Sequence, residues 1–196
     1  MENRKARTVA MAMLFEAGLG FVGVVIAWAA GIDIATQLAV SQGALLRGIL
    51  ASLPMIVLLG ACYKSTWQPL VRLRREVEKV VAELFAGCGW LEFALVSVAA
   101  GVGEEILFRG ALQPLVIGWT VPWIGIVVVA LLFGLAHALT QTYFILATLI
   151  GLYFGWLAFA YDDLIAPIVA HAVYDCFALM FIQRRAGKGG SLPPAT

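Results

Sequence analysis

Residues 90–116 read WLEFALVSVAAGVGEEILFRGALQPLV. The run exceeds the roughly 20 residues that cross a bilayer as a helix. It nevertheless carries Glu104, Glu105 and Arg109 near its middle. An apolar span with charges inside it sets both the fold class and the question of function. Five further apolar spans flank it, at 8–30, 44–62, 121–140, 143–160 and 164–183. Hydrophobic residues make up 62% of the chain and charged residues 13%, too little polar material to cover a soluble domain. Isolated strands cannot span, because each unpaired backbone group in lipid costs several kcal/mol. The alternation of barrel strands is also absent. The expected fold is all-α, a polytopic integral membrane bundle of about six transmembrane helices.

Residues 1–89 read as a two-helix membrane region with an amphipathic segment at 64–89, residues 90–183 as a four-helix core, and 184–196 as a disordered basic tail. In the amphipathic segment Val77, Val80, Val81, Leu84 and Phe85 follow the spacing of one helical face. That pattern fits a helix on the membrane surface or one packed against the bundle. Arg4, Lys5 and Arg7 precede span one. Lys64, Arg72, Arg74, Arg75 and Lys79 lie between spans two and three, and Arg184, Arg185 and Lys188 follow span six. An even span count puts all three groups on one side, which the positive-inside rule makes cytoplasmic. Both termini are then cytoplasmic, Asp162 and Asp163 lie in an outer loop, and Arg47 is the basic exception. The run from Thr8 to about Ile32 is too long for a signal-peptide core of roughly 7–15 residues and reads as a retained start-transfer helix. Cys62, Cys88 and Cys176 lack metal or disulfide spacing and read as small buried side chains. A net charge of +1 without a basic, aromatic-interleaved stretch gives no sign of a nucleic-acid partner.

The last four spans contain Glu104, Glu105, Arg109, His137, His171 and Asp175, including both histidines of the chain. A charge at mid-bilayer costs about 2.5–3.5 kcal/mol on insertion scales, so such residues are functional candidates by default. Glu105 and Arg109 are i, i+4 with the acid first, the favourable order for a helical ion pair. Glu104 is rotated about 100° from Glu105 and is free to face the bundle interior. Phe133 and His137 share one helix face, as do His171 and Asp175. Asp175 can fix the His171 tautomer. Two histidines and a glutamate from three helices can converge on one water or one metal ion. The chemistry supported is a general base, Glu104, activating water with His137, while His171 stabilises an oxyanion. A proton or ion path uses the same residue types and stays open on spacing alone.

The motifs E-E-x-x-x-R (Glu104 to Arg109), F-x-x-x-H (Phe133 to His137) and H-x-x-x-D (His171 to Asp175) occur in that order on successive spans. Together they resemble the CPBP, or Abi, family of intramembrane proteases. That family includes CAAX prenyl endopeptidases of the Rce1 type and bacterial members linked to bacteriocin self-immunity. The resemblance covers roughly residues 90–183. It implies peptide-bond hydrolysis within the membrane, with Glu104 and His137 holding the water, His171 and Asp175 shaping the oxyanion site, and Glu105, Arg109 and Phe133 in support. An ionised Asp175 cannot donate a hydrogen bond, so orienting His171 is its expected role. The family has been called a metalloprotease family, which makes Zn2+ on Glu104, His137 and His171 the alternative. The short chain resembles bacterial members, implying the bacterial cytoplasmic membrane and a membrane-embedded peptide or protein substrate. An immunity or binding scaffold without turnover, and a proton- or ion-coupled transporter, are the competing functions.

Overall fold

The computed structural model describes residues 2–188. All regular structure among them is helical. Helix α1 (Glu2–Ala29) leads through a short 3-10 turn to α2 (Gln42–Lys64), followed by α3 (Gln68–Leu84). Next come α4 (Trp90–Glu105), a π-helical segment (Ile106–Leu112) and α5 (Gln113–Trp119), which form one helical path without a break. The chain ends with α6 (Pro122–Ala136), α7 (Gln141–Tyr161) and α8 (Ile165–Lys188). Four stretches are long and apolar enough to cross a membrane: Arg4–Ala29, Gln42–Lys64, Gln141–Tyr161 and Ile165–Ala186. Large apolar side chains such as Phe21, Trp28 and Val57 point outward, as a lipid-facing surface requires. The architecture is that of a multi-pass integral membrane protein.

The six-span expectation is corrected at one place, and at a second the expected helix is present but irregular. The span placed at 121–140 ends at Ala136. Its 15 residues rise only about 22 Å, less than the roughly 30 Å of hydrocarbon. The cause is a side chain. His137 Nδ1 lies 2.9 Å from the Phe133 carbonyl, the acceptor that the His137 backbone N–H would use in a continuing α-helix. That N–H turns to the Gly134 carbonyl instead, at 3.1 Å. Competition of this kind ends helices. Thr140 then restarts the chain by accepting from the Tyr143 N–H at 3.1 Å, and α7 begins.

The second place is the path over 90–119, where α4 gives way to a π turn. Gln113 N–H bonds the Phe108 carbonyl, five residues back. Pro114 follows directly. Inside a helix its ring clashes with the carbonyl four residues earlier, here Gly110, and it has no N–H to donate. Widening the turn before it relieves both problems. π turns of this kind often occur at functional sites.

Helix α3 lays its apolar face on the bundle, with Val81 packed against Ala178 and Ile182 of α8 and Val77 beside them. Leu84, expected on that face, is exposed. The tail expected from residue 184 is helical as far as Lys188, and the rest of it lies outside the described residues. Arg47 meets Asp163 at 3.0 Å and lies over the Tyr161 ring, so the basic exception is paired with the acid between α7 and α8.

Helix α1 packs on α4 and the π segment at very short range. A Cβ on Gly103 would lie 2.1 Å from the Glu16 carbonyl oxygen, and one on Gly23 would lie 2.7 Å from the Leu107 Cα. Small residues permit this approach between membrane helices.

Candidate active site

The two adjacent glutamates have opposite surroundings. Glu105 is fully buried, and its Oε1 accepts from Arg109 Nη1 at 2.9 Å. Arg109 also donates through Nη2 to the Gly151 carbonyl of α7 at 3.0 Å. Its guanidinium lies over Phe133 at 4.4 Å, with Phe154 and Phe108 also in range. Such contacts gain strength when water is excluded. The expected i, i+4 pair is present and does more than expected, because it ties α7 to the π segment. One turn on, Gln113 Nε2 donates to the Gly155 carbonyl at 3.0 Å and repeats the tie. The motif reading missed Gln113. Its i+8 spacing from Glu105 was the available signal.

Glu104, buried to 7% exposure, faces His137 across the turn that ends α6. His137 Nε2 and Glu104 Oε2 are 3.6 Å apart, beyond a direct hydrogen bond. Because the Phe133 carbonyl accepts from Nδ1, that nitrogen carries the ring hydrogen and a neutral ring turns the Nε2 lone pair toward the carboxylate. Phe133 stacks on the His137 ring at 4.4 Å and holds its plane.

His171 on α8 links the two glutamate neighbourhoods. Its Nδ1 lies 2.9 Å from Glu105 Oε1, and its Nε2 lies 3.4 Å from Asp175 Oδ2. The ring stacks on Phe154 at 5.1 Å. The Asp175 contact is the one expected from spacing, whereas the Glu105 contact joins residues 66 positions apart and has no local signature. Zinc on Glu104, His137 and His171 does not fit this donor set. Both His171 nitrogens already face carboxylates, and among the described residues no group of three His, Cys, Asp or Glu side chains is arranged to hold a metal ion. The zinc alternative therefore has no support in this arrangement of the described residues.

Two further features border the site. Glu16 of α1 lies within electrostatic range of Glu104, His171, Asp175 and His137. It is the one acid between Thr8 and Ala30, so the insertion-cost argument applied to it as much as to the later spans. A cavity of about 310 Å3 lies between α2, α3, α7 and α8. Asp175 and Tyr143 line one part of it and Tyr63 and Arg74 another, with mostly apolar side chains between. Arg74 is fixed there by the Cys62 and Tyr63 carbonyls at the end of α2.

Residues 86–177 match the family described as type II CAAX prenyl endopeptidase, Rce1-like. The chain carries an Rce1-like domain. The matched region contains Glu104, Glu105, Arg109, Phe133, His137, His171 and Asp175. It stops short of the end of α8 and excludes α1, α2 and α3. No curated protein and no solved structure matches the chain. The Rce1-like domain makes a peptidase role, with a protein substrate, the family's implication for this chain.

Proposed function

We propose that the chain is an intramembrane endopeptidase that hydrolyses peptide bonds of membrane-associated proteins or peptides through a water held by Glu104 and His137. The observation that carries this reading is the Glu104–His137 pair, whose Oε2 and Nε2 lie 3.6 Å apart. With Glu104 ionised and His137 neutral, these are two acceptors facing each other. Neither can donate to the other while Glu104 is ionised and His137 is neutral. A water has two hydrogens and satisfies both, sitting about 2.8 Å from each as the apex of a triangle. In that position its oxygen lone pair is directed away from both groups, toward a substrate carbonyl. Glu104 takes the proton as the oxygen attacks, a role that typically contributes about 10²–10⁴-fold.

His171 serves the oxyanion. The Asp175 contact at 3.4 Å is long enough to be exchanged, so Nε2–H turns from Asp175 to the developing charge. Glu105, anchored by Arg109, holds the other nitrogen and sets the ring's direction. Asp175 is an orienting group in this scheme. The cavity beside Asp175 receives an apolar part of the substrate. The clustered basic residues support a cytoplasmic side for the termini and for Arg74 at the cavity.

Comparative membrane proteomics of cells carrying wild type and Glu104→Gln tests this reading. Cleaved termini present in the wild type and absent from a normally inserted Glu104→Gln protein support it. Equal cleavage and equal biological activity in the two strains would overturn it and favour a scaffold without turnover.

A further inference from the structure

Peptide hydrolysis needs two proton movements. Water must lose a proton, and the departing amine must gain one. The Glu104–His137 pair accounts for the first. His171 is held by Glu105 and turns its other nitrogen to the oxyanion, and Arg109 is committed to Glu105 and Gly151. Glu104, once it holds the water proton, is one donor for the second step, and Glu16 is a second carboxyl group in electrostatic range with no other assigned work.

Its position is well determined. Glu16, Gly20 and Gly23 fall at i, i+4 and i+7 on one face of α1. A Cβ on Gly20 would touch Gly103, and one on Gly103 would overlap the Glu16 carbonyl. The backbone of Glu16 is thus pressed against the residue preceding Glu104. Phe15, one position earlier, is 64% exposed on the lipid side, while Glu16 Oε2 is buried with no hydrogen-bond partner. Glu104 Oε2 is also buried and unpartnered. The charged and titratable groups in electrostatic range of Glu16 are Glu104, His171, Asp175 and His137, with Arg109 acting on Glu104 from behind. An ionised carboxylate without a donor is costly in lipid, and a second one within electrostatic range of Glu104 adds repulsion. A proton on Glu16 removes both penalties. Paired carboxyl groups in which one holds the proton and the other is ionised divide acid and base work between them.

We propose that Glu16, outside the matched family domain, is the general acid of the site and protonates the leaving amine. Water gives one proton to Glu104 as its oxygen bonds to the carbonyl carbon and the C=O pair moves onto oxygen. That pair then returns, the C–N bond breaks, and its electrons leave on nitrogen. Nitrogen takes the proton from Glu16, and Glu104 passes its proton to Glu16 to restore the start. This proposal rests on the peptidase reading.

The test uses the full-length protein in membranes and two readouts. Dicyclohexylcarbodiimide, an apolar reagent for protonated carboxyl groups, is expected to modify the peptide containing Glu16 at neutral pH, with the adduct lost in Glu16→Gln. Its absence in wild type overturns the proposal. Rates of appearance of cleaved membrane-protein termini are expected to fall about 10²-fold or more in Glu16→Gln, with partial recovery in Glu16→Asp. Cleavage at the wild-type rate in Glu16→Gln overturns it. Equal loss in both variants with a lowered unfolding temperature also overturns it and marks a packing residue. If the cleaved termini and the biological activity are equal in wild type and Glu104→Gln, the peptidase reading itself fails, while the carbodiimide adduct still reports whether Glu16 carries a proton.

Discussion

Glu104 and Glu105 are neighbours in sequence, but one has spare bonding capacity and the other has none to spare on its bonded oxygen. Glu105 Oε1 receives Arg109 at 2.9 Å and faces a His171 nitrogen at the same distance. Glu104 has His137 at 3.6 Å, and its Oε2 is buried without a hydrogen bond; Glu105 Oε2 is likewise buried and unpartnered, so the contrast lies in the two contacts on Glu105 Oε1. The insertion penalty of the first residue is offset by bonds that hold three helices together. That of the second is offset only when something donates to it. An ionisable residue in lipid therefore marks structure or chemistry according to its partners, and sequence alone gives both residues the same appearance.

Breaking the closed half should have the largest effect. Arg109→Leu leaves Glu105 buried beside fewer donors, and removal of one partner of a buried ion pair costs about 3–5 kcal/mol. Loss of folded protein from detergent extracts, measured by size-exclusion yield, is the expected result. Normal yield would mean that the bonds to Glu105 and Gly151 are not what holds this region. Next comes the open half. Glu104→Gln should lower cleavage by about 10²–10⁴-fold. Its unfolding free energy should stay within about 1 kcal/mol of wild type, because no hydrogen bond to Oε2 is lost. A large stability loss would put Glu104 in the same class as Glu105.

Gly103→Ala sharpens the contrast from outside. Its Cβ must displace the Glu16 carbonyl, which costs about 1–3 kcal/mol as an overpacking strain and moves α1 off the site. Thermal unfolding and cleavage should fall together. The smallest effect is expected at the α7 start, where Thr140→Ala removes a cap worth about 1 kcal/mol. Here unfolding temperature should drop while cleavage per folded molecule stays near wild type.

The membrane class and most helix ranges were legible because apolar runs that fill a bilayer have no soluble equivalent. Residues 42–64 and 165–188 differ from their expected spans mainly at the ends. The stop at Ala136 was not legible. Leu135 to Leu139 reads as apolar apart from His137, and the helix ends because that ring takes a carbonyl from its own backbone. The π turn was hidden for a similar reason, since Pro114 announces a disturbance without saying which turn absorbs it. In the site, the i, i+4 contacts of Glu105 with Arg109 and His171 with Asp175 followed from periodicity. The Glu105–His171 bond and the approach of Glu16 did not, because both depend on which helices become neighbours.

The bond from His171 to Glu105 also bears on biogenesis. Helices enter the bilayer in chain order, so Glu105 and Arg109 are in place long before α8 emerges. Until it does, the growing polypeptide has Glu104 and the Glu105–Arg109 pair but neither His171 nor Asp175. Helix α8 is the one that completes this cluster. On the proposed peptidase reading, a half-made copy lacks part of the site and is expected to be inert toward the other proteins being inserted beside it.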